Sequence, residues 1–148
     1  MRLILRRLAA LAVLLLASAQ PTLAADGHHL TGGGTASFSQ VAMNVNFAAS
    51  GAVTGSFECL MAGRSAFVLP QFGLAHNMIV HATPTAGSVS GTKASFTGPG
   101  SLTLDGKAKM NIHVSVQVDV AAQTFELTVV EVGAMGPETM LSGHLTMH

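Results

Sequence analysis

From Thr35 onward, apolar residues recur at nearly every second position, the period of a β-strand with one buried face. Val41, Met43, Val45 and Phe47 alternate with Ala42, Asn44 and Asn46 until Ala49-Ser50-Gly51 breaks the run. Residues 53–61 predict a second strand, ended by Gly63-Arg64. Residues 66–69 predict a short one that stops at Pro70, and residues 76–83 another, closed by Pro84. Residues 89–96 read as a tight hairpin turning near Gly91. Asp105-Gly106 is a type I′ hairpin signal between two apolar-alternating runs.

The clearest strand is residues 107–120. Ala108, Met110, Ile112, Val114, Val116, Val118 and Val120 face one way; Lys107, Lys109, Asn111, His113, Ser115, Gln117 and Asp119 face the other. Phe125, Leu127 and Val129 repeat the pattern, Val130-Glu131-Val132 shifts its phase and predicts a bulge, and residues 141–147 predict the last strand. Gly32-Gly33-Gly34 reads as a turn leading into the first strand. The chain is thus expected to be all-β, an antiparallel β-sandwich or small Greek-key or jelly-roll-like barrel of about eight or nine strands. An outer-membrane barrel would want aromatic girdles and an apolar outer face. The chain has no Trp or Tyr, and its outward positions are Lys, Asn, His, Ser, Gln and Asp.

The first residues follow another pattern. Arg2, Arg6 and Arg7 precede an uncharged apolar run over residues 8–19, and small residues surround Ala24 and Ala25. This is the layout of a cleavable signal peptide over residues 1–25. Cleavage after Ala24 and cleavage after Ala25 both fit. The run is too short for the roughly 20 residues that span a bilayer. Residues 26–148 then form a single β domain, expected in the periplasm or outside the cell, without a transmembrane segment. Four basic residues against seven acidic ones give it a net charge of −3. That balance offers no electrostatic footprint for nucleic acid.

Several pieces resemble exported bacterial β-sandwich domains of uncharacterised function, some adjacent to cell-surface anchoring modules. They are Gly33-Gly34-Thr35, Gly55-Ser56-Phe57, residues 89–98, residues 114–120, Thr124-Phe125-Glu126-Leu127-Thr128 and Ser142-Gly143-His144-Leu145. The resemblance implies a fold and an exported location, and no activity. It departs at residues 59–64, where the family often has a His/Asn-rich hairpin.

Candidate chemistry is sparse. Cys59 is the only cysteine, so no intrachain disulfide forms. Its phase, shared with Val53, Phe57 and Met61, predicts a buried thiol. Beyond residue 25 there are seven His and seven Met against eleven charged residues. That mix suits copper, with thioethers for Cu(I) and imidazole for either oxidation state. His76 and Met78 share a strand face, whereas the Met110/His113 and His76/His81 pairs point oppositely. Met43, Met110 and Met147 lie in core phase, and His113, His144 and His148 on the outer face. If cleavage follows Ala25, Asp26-Gly27-His28 supplies an amine, two amide nitrogens and an imidazole for square-planar Cu(II) or Ni(II). No nucleophile elbow or phosphate loop occurs. The leading expectation is an exported, non-enzymatic domain with a structural or interaction role, acting on a protein or cell-surface partner. The alternatives are a copper or nickel binder using His28, His76 or Met78, and a small hydrolase assembled from dispersed His, Asp and Glu.

Overall fold

In the computed structural model, which describes residues 27–62 and 77–148, the alternating segments pair into ten strands. They are β1 (His28–Thr35), β2 (Gln40–Phe47), β3 (Val53–Met61), β4 (Met78–Ala82), β5 (Ala86–Ser90), β6 (Lys93–Leu104), β7 (Ala108–Asp119), β8 (Thr124–Val129), β9 (Gly133–Thr139) and β10 (His144–Met147). Every pairing is antiparallel. The described residues contain no helix, hence none long and apolar enough to cross a membrane. The all-β expectation is met, with ten strands in place of eight or nine. The signal-peptide segment and the strand expected over residues 66–69 lie outside the described residues.

All ten strands belong to one sheet, ordered β10-β1-β2-β3-β4-β6-β7-β8-β9, with β5 paired to β6. The expectation was a β-sandwich or a small Greek-key or jelly-roll-like barrel; the described strands form one antiparallel sheet curled into a half-barrel, with most successive strands adjacent. The reason is in the connections. A Greek key needs a long return connection to an earlier strand. Here most links are tight turns, which keep successive strands adjacent. Gly91-Thr92 closes β5 onto β6. Asp105 and Gly106 hold φ of 49° and 71°, as a type I′ turn demands, between β6 and β7.

Two features curl the sheet. The twelve-residue β6 serves two partners, β4 along its second half and β5 along its first. β9 and β10 are successive halves of one bent segment, the first pairing with β8 and the second with β1. The two edges of the sheet are therefore drawn together. Ala36 bridges Met140, and the Leu141 and Ser142 amides donate to the Thr35 carbonyl. The Gln123 carboxamide closes a further gap. It donates to the Leu145 carbonyl at 2.8 Å and accepts from the Leu145 N–H at 2.9 Å, standing in for a missing rung of backbone.

The buried side of the curl is the apolar face of the alternation. β2 alternates exposed and buried without a break. Ile112, Val114, Val116 and Val118 are buried, with Met110 and Val120 packed at the margin. Phe57 and Phe96 meet edge-on with centroids 5.7 Å apart, a favoured aromatic geometry.

Three local expectations are corrected. Gly32-Gly33-Gly34 lies within β1, not in a turn. At Gly32 φ is +147°, and a Cβ would strike the His144 carbonyl across the β1–β10 ladder, so only glycine lets these two strands approach. Residues 130–132 form the β8–β9 turn, and the bulge falls between Phe125 and Leu127, where Gly136 and Pro137 lie opposite Glu126. Residues 141–143 bend, so the last strand begins at His144.

Candidate functional site

Of the metal candidates, His28 and Met78 are set far apart. Met78 pairs with Met61 and Leu104 and is 1% exposed, so its thioether belongs to the core. His76 lies outside the described residues. His28 pairs with Phe47 at the other end of β2, roughly 23 Å along the strand from the Gln40–Leu60 rung beside Met61. The His29 amide and carbonyl both bond His148, toward β10. Strand alternation then turns the His28 amide toward β2. A square-planar site on Asp26-Gly27-His28 needs that nitrogen, so such a site and the first β1–β2 rung compete for it. Among the described residues no three His, Cys, Asp or Glu side chains cluster as metal ligands.

Cys59 is buried, as its phase predicted. Loss of water pushes its thiol up to about 12, with Glu138 and Glu58 adding to the rise and a Ser39 hydrogen bond opposing it. This thiol is not a nucleophile at neutral pH. Beside it stands a residue that the periodicity did not reveal. Glu138 is 1% exposed, and its carboxylate accepts from the Phe38 N–H at 2.9 Å and the Ser39 hydroxyl at 2.9 and 3.0 Å. It ties the end of β9 to the β1–β2 loop. Gly136-Pro137 precedes it, and that pair reads as loop, which hid the strand and its buried acid.

The outer face carries paired polar groups. His81 Nδ1 lies 3.2 Å from Glu58 Oε2, and Ser101 is the cross-strand neighbour of His81 on the other side. All three border a shallow depression of about 470 Å³. His113 pairs with Glu131 at 2.8 Å, and its backbone N–H also donates there. Those contacts, the backbone one first, hold the Glu131 carboxyl below its usual range. Asp119 is likewise held low, first by the Ala122 amide and also by Ala121, Thr92 and Lys93. It caps the β7–β8 turn through the Ala121 and Ala122 amides.

Strand β5, like the outer strands β9 and β10, is paired on one side only, to β6. Ala86, Gly87, Ser88 and Ser90 are exposed, and Val89 leans on the core. Its other side borders a cleft of about 230 Å³ with His28, Ala49 and Gly51. Compared with known proteins, the chain matches no family model, no curated protein and no solved structure. The β5 edge has an unshared main-chain side and exposed, uncharged residues.

Proposed function

We propose that the chain is an exported, non-enzymatic β domain that works by protein contact in the periplasm or at the cell surface, with β5 as its contact strand. The observation that carries this reading is the exposed, one-sided β5, since an open strand edge is a template for another chain. The N-terminal signal pattern supports export, and the resemblance to exported β-sandwich domains supports the same location. A photo-crosslinking residue at Ser88, compared with one at Thr97 on the outer face of β6, tests the contact in cells. Protein adducts at Ser88 that are scarce at Thr97 are expected. Equal labelling at both positions overturns the role of β5, and an uncleaved N-terminus on the isolated protein overturns export.

One arrangement favours a second reading, a weak hydrolase. Glu58, His81 and Ser101 stand side by side on β3, β4 and β6, in the carboxylate–imidazole–hydroxyl order of an activated serine. Labelling of Ser101 by a fluorophosphonate, lost in His81→Ala, would establish it in place of the first reading. No labelling removes it.

A further inference from the structure

Resting on the contact role given to β5, we propose that its partner is a second copy of the same strand, making a two-fold dimer through one continuous sheet. Ser90 and Lys93 flank the two-residue Gly91-Thr92 turn and close the β5–β6 hairpin. The residues beside such a turn face each other with both N–H and C=O. Alternation directs Ser88 and Ala86 toward β6 in the same way. It leaves the N–H and C=O of Gly87 and Val89 pointing away from the sheet. Among the described residues, no backbone bond outside the ladders involves either residue.

Proteins guard open edges with charge, proline, bulges or a covering group. The two outer strands are partly guarded. Gln123 occupies the backbone of Leu145 in β10, and β9 carries Pro137 and a register shift. β5, reading Ala-Gly-Ser-Val-Ser, has no charge or proline within it. Its one irregularity is at its start, where Thr85 and Ala86 both stand opposite Thr97, and Phe47 and the β2–β3 turn lie across a cleft from it.

Its sequence also suits self-pairing. With the two-fold axis at Ser88, Gly87 exchanges both backbone bonds with Val89 of the second copy, and Val89 with Gly87. Ser88 then faces Ser88, and Ala86 faces Ser90. No like charges oppose, and the small Ser88 side chains suit the close spacing, about 4.5 Å between Cα atoms, of a pair that exchanges no bonds. Ser88 and Ser95 hydroxyls already touch at 3.2 Å on that face, so the polar row extends across the join.

Sedimentation velocity of the exported chain tests this. A small interface predicts a weak dimer, populated at about 0.5 mM and dissociating on dilution. Ser88→Lys sets two ammonium groups opposite each other, and Ser88→Glu two carboxylates. Each variant is expected to stay monomeric, and an equimolar mixture to dimerise at least as well as wild type, because only self-opposition of residue 88 joins the two. Circular dichroism checks that both variants fold. If either does not, hydrogen exchange of the wild type replaces it, with Gly87 and Val89 amides slowing at high concentration and fast at low. A monomeric wild type, or a mixture no more associated than its components, overturns self-pairing. A monomer whose Ser88 still crosslinks to a different protein in cells leaves the contact reading standing. A dimer whose Ser88 yields no adducts in cells sinks that reading instead.

Discussion

At the scale of single residues, burial decides what each group can do. Cys59 sits in β3 with its thiol raised from an ordinary 9.0 to about 12. The native chain is therefore expected to resist iodoacetamide at pH 8 and to react once urea unfolds it, as mass spectrometry would show. The raised value also has a stability consequence. Its contribution is fully present below the unfolded value near 9 and is lost as pH rises toward about 12. Cys59→Ala should flatten that alkaline decline in urea midpoints. Rapid alkylation of the native chain would contradict the assigned burial. The burial itself was legible in the sequence, because Cys59 shares the phase of Val53, Phe57 and Met61. Its neighbour Glu138 was not legible, because a carboxylate behind Gly136-Pro137 looks like surface.

At the scale of elements, strand existence followed from period, and strand edges followed from contacts the period does not encode. β2, β3, β7 and β8 occupy the segments where alternation was strongest. β9 was missed because a bulge opposite Glu126 breaks its phase. The seam is the other contact of this kind. Gln123 is in the left-handed region, with φ 55°, and its side chain reaches the Leu145 backbone. Gln123→Ala removes both rungs and leaves part-buried backbone groups to water. A loss of about 1–2 kcal/mol is expected from urea unfolding, with faster hydrogen exchange at Leu145. A change within about 0.3 kcal/mol would mean that the seam does not depend on the carboxamide.

At the scale of the whole molecule, the sheet curls because its last segment belongs to both edges. Glu138 fastens the end of β9 to the β1–β2 loop from inside. Glu138→Ala removes the acceptor of the Ser39 hydroxyl within the core. It is expected to cost about 3 kcal/mol, against about 1 kcal/mol for Glu138→Gln, which keeps an acceptor. Chemical denaturation of the two variants gives the comparison, and equal losses would show that volume, not hydrogen bonding, matters at this position. The same curl sets β5 across a cleft from Val53 and the β2–β3 turn without pairing it to them, and so creates the edge offered for pairing.

The amino-acid sequence by itself determined most of the strand-forming segments, though not β1 or β9, together with their buried faces and the Asp105-Gly106 turn. Those depend on side-chain period and local backbone freedom, which neighbouring residues settle. Only the tertiary structure decided the meander order, the burial of Glu138, the separation of His28 from Met78 and the open side of β5. Each of these is set by which strands lie next to one another, and alternation fixes the face of a residue without naming its neighbour across the sheet.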